Sequence, residues 1–142
     1  MTKEQEDKIK EHYNNPKNNK ALENYNARGK GKNPDNWGEV DMYLLIEDDI
    51  VKNLGYEFKG CPTIAFSASV FTEELKNVPL KDAIYTTEQE LIEMESDKNS
   101  DDCIKMILVA FLAAVDNYND RKNNIVKEDY NTKMIKLTGE IK

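Results

Sequence analysis

The chain has 142 residues and a net charge of −7, enough for one domain with a real core and too few for two large ones. This acidic balance lacks the basic surface that nucleic-acid binding requires. The longest apolar run, residues 106–115, is shorter than the roughly 20 residues of a membrane span, and residues 1–13 contain no apolar secretory segment. We therefore expect a cytoplasmic protein with no nucleic-acid or membrane partner.

The first half of the chain predicts one short helix and a hairpin. Amphipathic spacing favours a helix over 3–13, and the Asn-, Gly- and Lys-rich residues 17–38 indicate an irregular segment. Apolar and polar residues then alternate over 40–47 and again over 50–59, on either side of an Asp-Asp pair. This pattern is typical of an antiparallel hairpin with one buried face.

The second half of the chain is helical in pattern. We predict helices over 62–76, 87–95, 103–118 and 125–137, the third having the most regular apolar spacing. Strands followed by helices predict an α+β fold, a small antiparallel sheet with helices packed on one face. We expect residues 1–142 to form a single domain with a C-terminal extension from about residue 119.

The chain contains two cysteines, Cys61 and Cys103, and each is predicted at the start of a helix. Cys61 is expected as the N-cap of helix 62–76, with Pro62 as its first residue. Free N–H groups and the dipole at a helix start favour a thiolate, the form that binds metals. The alternative is that both cysteines are small buried apolar residues. In a reducing compartment, thiols or metal ligands are more common than a structural disulfide.

The sequence contains one histidine and two serines that could be candidate catalytic groups. His12 is interpreted as a helix-end residue, and Ser67 and Ser69 as packing residues with no histidine available to activate them. The sequence therefore predicts no hydrolase and no other enzyme.

Four motifs resemble the NifU/IscU family of iron–sulfur cluster assembly scaffolds. They are HYNNPKN (12–18), GKNP (31–34), YEFKGCPTIAFSAS (56–69) and DDCIKMILVAFLAAV (101–115). The last two are similar to the segments around the second and third cysteines of that family. The resemblance implies the family fold, with Cys61 and Cys103 meeting at one end of the sheet near the loop 35–39.

The resemblance also identifies departures at the family's ligand positions. Asn36 occupies the position of the first cysteine, Trp37 that of the following glycine, and Asp102 that of the histidine. Trp37 is interpreted as an apolar plug that closes the old site. A [2Fe–2S] cluster usually takes four ligands, most of them thiolates. The expected ligands here are Cys61, Cys103, Asp102 and Glu39, with Asp41 as an alternative to Glu39, for an iron–sulfur cluster or zinc.

Three functional hypotheses remain open at this point. In the first, the chain is a divergent iron–sulfur scaffold or carrier. It accepts sulfur from a cysteine desulfurase at Cys103, works with other assembly proteins and forms a homo-oligomer. In the second, it is a binding module that keeps the fold and docks on an assembly or redox partner without building clusters. In the third, Cys61 and Cys103 form a reversible disulfide.

Overall fold

A computed structural model describes residues 2–97, 99–125 and 128–137, which contain four helices and one five-stranded sheet. In chain order the elements are α1 Lys3–Asn14, β1 Ala27–Lys32, β2 Glu39–Glu47, β3 Ile50–Lys59, α2 Ile64–Leu75, β4 Val78–Pro79, α3 Leu80–Glu95, α4 Asp102–Lys122 and β5 Asn131–Met134.

The sheet has the strand order β4-β3-β2-β1-β5. The predicted hairpin is β2–β3, and its turn residues Asp48 and Asp49 have φ values of 54° and 58°. Positive φ at both central residues is what tight two-residue hairpin turns require, and Asp tolerates it better than most residues. Three of the strand pairings are antiparallel, and β5 lies parallel to β1 at the edge.

Helix α4 lies against two glycines, Gly29 and Gly31, on the inner face of β1. A Cβ added at Gly29 would lie 2.1 Å from the Ala114 backbone nitrogen, and one at Gly31 would lie 2.1 Å from the Met106 carbonyl oxygen. Any side chain at these positions would push the helix away from the strand. The glycines therefore set the distance at which α4 crosses the sheet.

The core lies between this face of the sheet and the helices. Its fully buried members include Val40, Met42 and Leu44 from β2 and Phe111 from α4. The opposite face carries Arg28, Asp41, Tyr43 and Glu57, joined by hydrogen bonds. The predicted α+β class, one small sheet with helices on one face, is confirmed.

Several predicted element boundaries are wrong. The segment 17–38 contains strand β1, and α3 begins at Leu80 rather than at residue 87. The predicted helix over 125–137 is not formed by the residues described there, where Asn131–Met134 are strand β5; residues 126–127 lie outside the described part. In the described ranges no helix is long and apolar enough to cross a membrane.

Candidate functional site

Cys61 and Cys103 lie next to each other and form a disulfide across 42 positions of sequence, with their Cα atoms 6.1 Å apart. Both residues are half-buried and pack against the edge of the hydrophobic core. The predicted proximity of the two sulfurs is therefore confirmed. Their role as metal ligands stays a prediction. The disulfide is the bonded state that the third functional hypothesis, a reversible disulfide, requires.

Cys61 is not the N-cap of α2, contrary to expectation. The helix begins at Ile64, and Cys61 lies one turn earlier, where its carbonyl accepts a hydrogen bond from the Ile64 N–H at 3.2 Å. Pro62 and Thr63 form the intervening turn, since the rigid proline ring suits a turn as well as a first helical turn. Gly60 precedes the cysteine with φ of +103°, a conformation that favours glycine.

Cys103 is the second residue of α4, because the helix begins at Asp102, one residue before the predicted start. The helix is capped by Asp101, whose Oδ1 accepts a hydrogen bond from the Cys103 N–H at 2.8 Å. Asp102 is the first helical residue, and its Oδ1 lies 2.7 Å from Lys105 Nζ. Asp101 therefore supplies the cap, and the Asp102 carboxylate forms an ion pair with Lys105.

Lys105, two residues after Cys103 on α4, is buried, and no motif of the sequence points to it. Its side chain is 0% exposed, whereas that of Asp102 is 28% exposed. Its Nζ also donates a hydrogen bond to the Lys136 carbonyl oxygen at 2.6 Å. The sequence does contain one signal for this ion pair, since Lys105 interrupts an apolar helical run three residues after Asp102. If such a lysine is buried, its charge must be paired.

Glu39, the remaining predicted ligand, is not brought to the cysteine pair. Its carboxylate lies 3.4 Å from Lys32 Nζ and 3.8 Å from Lys30 Nζ. By strand alternation it shares the open face of the sheet with Asp41, which is bound by Arg28. In this conformation Glu39 and Asp41 are charge partners of basic residues on β1.

The loop 33–38 packs beside the cysteine pair. A Cβ added at Gly60 would lie 3.0 Å from Gly38 Cα, and one at Gly38 would lie 3.0 Å from Met106 Cε. The Asn36 side chain accepts a hydrogen bond from the Gly38 N–H at 2.6 Å, closing a tight turn. Trp37 is 94% exposed, so the interpretation of Trp37 as an apolar plug is wrong.

His12 and Ser69 form a contact that sequence reasoning missed. Nδ1 of His12 lies 2.6 Å from Ser69 Oγ, which also accepts a hydrogen bond from the Lys17 N–H at 2.7 Å. Ser69 is 0% exposed. A fully buried hydroxyl cannot reach a substrate, so this pair fastens α1 and the following turn to α2.

The side chains around the cysteine pair determine which metal ions it could bind. Within the described residues, no group of three or more His, Cys, Asp or Glu side chains is arranged to hold a metal ion. Reduction of the disulfide would release two soft sulfur donors. Two thiolates suit zinc or iron better than magnesium or calcium, and they are two ligands short of a complete tetrahedral site.

Comparison with known proteins supports the resemblance found in the sequence. The model of the NifU-like N terminal domain family matches residues 4–125. The chain belongs to this family. It is 31% identical over 87 residues to the nitrogen fixation protein NifU of Azotobacter chroococcum and 27% identical over 96 residues to the iron–sulfur cluster assembly scaffold protein IscU of Aquifex aeolicus.

These alignments cover only part of each protein. They include 60% and 66% of the present chain, but only 28% of the Azotobacter protein and 60% of the Aquifex protein. The chain therefore spans less than two thirds of the length of the curated relatives it matches. The single-domain boundary and the extension from about residue 119 stay predictions.

Solved structures of similar fold support the architecture. A NifU-like protein (N-terminal) from Brucella abortus matches with a TM-score of 0.65 at 15% identity, covering 80% of this chain and 92% of that one. A putative iron–sulfur cluster assembly scaffold protein for the SUF system from Fervidobacterium islandicum matches with a TM-score of 0.53 at 23% identity, covering 81% and 79%. At these identities the likeness shows the fold alone.

Proposed function

We propose that this chain is a divergent scaffold or carrier domain in iron–sulfur cluster assembly. The observation that carries the proposal is the meeting of Cys61 and Cys103 at one end of the sheet, from positions 42 residues apart. Membership of the NifU-like N-terminal domain family supports it. The chain acts by holding its cargo and handing it on, without catalysing turnover of a small molecule.

The cargo is an iron ion, a zinc ion or a labile iron–sulfur cluster. In the reduced chain the thiolates of Cys61 and Cys103 bind it, and Asp102, at the start of α4, is the third ligand. Glu39 stays a predicted fourth ligand. To bind metal, the Glu39 carboxylate must break its ion pairs with Lys30 and Lys32, whose nitrogens lie 3.8 and 3.4 Å away.

Cys103 is the proposed acceptor of sulfur from a cysteine desulfurase. Its thiolate attacks the terminal sulfur of a persulfide on the donor enzyme, the donor's own thiolate leaves, and Cys103 becomes the persulfide. This exchange requires the reduced cysteine, so a thiol reductant must first deliver two electrons and two protons to the disulfide. Other assembly proteins are the proposed partners, and a second copy of the chain could complete the ligand set.

The metal site is tested on the full chain after reduction in the absence of oxygen. We expect about one equivalent of zinc or cobalt(II), with the sulfur-to-cobalt charge-transfer band that thiolate ligation produces. Cys61→Ser and Cys103→Ser should each abolish the band. Asp102→Asn should weaken binding, and Asp101→Asn, at the adjacent capping residue, is its matched control. A reduced chain that binds neither metal would refute the proposal.

Restoring the missing thiolate tests the cluster form of the proposal. Asn36→Cys supplies a third sulfur, and Trp37→Gly removes a side chain that is 94% exposed and buries little surface. The double variant should hold a [2Fe–2S] cluster stably on anaerobic reconstitution, and the single Asn36→Cys variant less stably. An unaltered chain that already holds a full, stable cluster would show that another ligand completes the site.

A reversible two-cysteine redox pair is the second candidate, favoured by the bonded state of Cys61 and Cys103. In that case the reduced chain would bind no metal. Thiol counting would find two thiols after reduction and none after mild oxidation. Metal uptake at one equivalent by the reduced chain would favour the scaffold.

A further inference from the structure

The two sulfurs of the disulfide have different surroundings. Cys61 lies in the turn between β3 and α2, whereas Cys103 lies in the first turn of α4 between two half-buried residues, Asp102 and Ile104. The residues beside Cys61 are exposed: Gly60, Pro62 and Thr63. A thiol from solution therefore reaches the chain around Cys61 more easily than the chain around Cys103.

A groove opens beside Cys61. It has a volume of about 190 Å³, and its lining is Tyr13, Pro16, Pro62, Thr63, Ala65 and Phe66. Pro62 and Thr63 are the two residues that follow Cys61 in the chain. The groove therefore offers an incoming molecule room next to one sulfur of the pair.

The start of α4 favours Cys103 as the sulfur that leaves when the disulfide is attacked. The helix has 21 residues, and the dipole and backbone N–H groups at a helix start stabilise a thiolate there. The carboxylate of Asp101 opposes this effect, but Asp101 is exposed, so water and salt screen its charge. Thiol–disulfide exchange is faster when the leaving sulfur is the more stable thiolate.

Building on the proposed role of Cys103 as sulfur acceptor, we propose that a thiol entering from the groove attacks Cys61 and releases Cys103 first. The incoming thiolate forms a new S–S bond with Cys61 Sγ, the bond between the two cysteines breaks, and Cys103 leaves with the electron pair as a thiolate. A second thiol then attacks the captured sulfur and releases Cys61 as a thiolate. The two thiols are oxidised to a disulfide, and the cysteine pair gains two electrons.

This order gives the intermediate a function of its own. Cys103 is free while Cys61 still carries the captured thiol. In that state the chain can take up sulfur at Cys103 but cannot hold a metal through both cysteines. Cys61 is therefore a site of reversible thiol modification that separates sulfur transfer from metal binding.

The test uses the oxidised full-length chain and glutathione. A short exposure is stopped with acid and followed by peptic digestion at low pH, because exchange requires a thiolate and stops when the thiols are protonated. Mass spectrometry of the peptides should find glutathione on Cys61 about 10-fold or more in excess over Cys103. Equal labelling or a preference for Cys103 would overturn the proposal, as would a chain that forms no disulfide on mild oxidation.

A second arm identifies the source of the thiol. The probe is a thioredoxin whose second active-site cysteine is replaced by serine, so that the complex it forms stays trapped. This complex should also be bonded through Cys61, and a bond through Cys103 would contradict the proposed order. Capture of thioredoxin faster than glutathione would assign the site to protein thiols, and the reverse would assign it to small ones.

A variant in the groove tests the path of entry. Thr63→Trp adds bulk at an exposed residue of the groove, and we expect it to slow glutathione capture at Cys61 by about threefold or more, since exchange rates depend on access. Thr86→Trp is the matched control, since Thr86 is exposed on α3 and does not line the groove. It should react like the wild type. An unchanged rate in Thr63→Trp would overturn entry through the groove.

Failure of this inference can be told apart from failure of the proposed function. If glutathione labels Cys61 but the freed Cys103 takes no persulfide from a cysteine desulfurase, the acceptor role is refuted and the order of attack stands. If glutathione labels Cys103 while the reduced chain still accepts sulfur and binds metal, only the order of attack is refuted.

Discussion

The two ends of α4 differ in how they are held. At the N-terminal end, Cys103 is bonded to Cys61, and Asp102 forms an ion pair with the buried Lys105. The bond to Cys61 exists only in the oxidised state. This end of the helix therefore rests in part on a covalent bond that a reductant can break.

At the C-terminal end, fixed charges and amides form a redundant network. Arg121 donates to Asn117 at 2.8 Å and to the Asp129 carboxylate at 2.8 Å, and Arg28 donates to the same carboxylate at 2.9 Å. Each of these groups has more than one partner, so losing one contact leaves the others in place. The comparison shows a helix with an exchangeable end, where we place the chemistry, and a fixed end, which holds the C-terminal segment on the sheet.

The largest expected effect is at the exchangeable end. The disulfide closes a loop of 42 positions, so reducing it should lower the free energy of unfolding by about 4 kcal/mol on the loop-entropy account. Urea denaturation with and without a thiol-free reductant measures the difference. A Cys61→Ser, Cys103→Ser double variant should be insensitive to the reductant. Equal stability of the oxidised and reduced wild type would contradict the idea that this end depends on redox state.

The contact between the middle of α4 and β1 should stabilise the chain independently of the disulfide. Gly31→Ala would place a Cβ 2.1 Å from the Met106 carbonyl oxygen, and such overpacking should cost about 3 kcal/mol. Chemical denaturation should show the same loss with the disulfide oxidised or reduced. Lys32→Ala, one residue along β1 and partly exposed, should change stability by less than about 0.5 kcal/mol.

A substitution at Asp101 tests whether helix capping and metal binding are separate roles at the N-terminal end of α4. Asp101→Ala removes the cap of α4 and should cost about 1 kcal/mol of stability, while the metal affinity of the reduced chain stays unchanged. Thermal melting and cobalt titration measure the two properties separately. A loss of metal affinity as large as that of Asp102→Asn would remove the distinction between cap and ligand.

The smallest expected effect is at the fixed end and depends on pH. Hydrogen bonds from Tyr25, Arg28 and Arg121 hold the pKa of Asp129 below its usual range. Because the pKa is lower in the folded state, the stabilisation is fully present above the unfolded pKa of about 3.9 and is lost as pH falls through the folded value.

Asp129→Asn should therefore lower the free energy of unfolding at pH 7 by roughly 0.5 kcal/mol, a value kept small by partial exposure and by redundancy. The difference from wild type should shrink as the pH approaches the folded pKa. Asp116→Asn, which breaks one exposed ion pair with Lys133 at 3.2 Å, is the control and should have no measurable effect. A pH-independent loss for Asp129→Asn would refute the electrostatic explanation.

The sequence by itself determined the elements that are set by short-range periodicity. Alternation on either side of the Asp-Asp turn predicted β2 and β3, and the apolar spacing of 103–118 predicted the body of α4. It did not predict β1, whose inward positions Gly29 and Gly31 carry no apolar signal. Those glycines mark a close approach of helix and strand, which only the packed structure displays.

In the C-terminal segment the sequence predicted a helix where a strand forms. Ile125, Tyr130, Met134 and Leu137 are spaced as on a helix, but strand β5 forms there because β1 offers it an edge to pair with. Pairing between strands distant in sequence depends on the fold around them, and local spacing cannot encode it.

The candidate site, like the fold, could be predicted from the sequence only in part. Residue chemistry and motif order in the sequence pointed to Cys61, Cys103 and Asp102 as candidate ligands, and that role stays a prediction. Only the tertiary structure brought the two sulfurs together, turned Glu39 to the opposite face and exposed Trp37. It also paired Lys105 with Asp102 and the Lys136 carbonyl. The physical reason is that proximity, burial and the partners of a charge arise from long-range packing, whereas composition and spacing record only which groups are available.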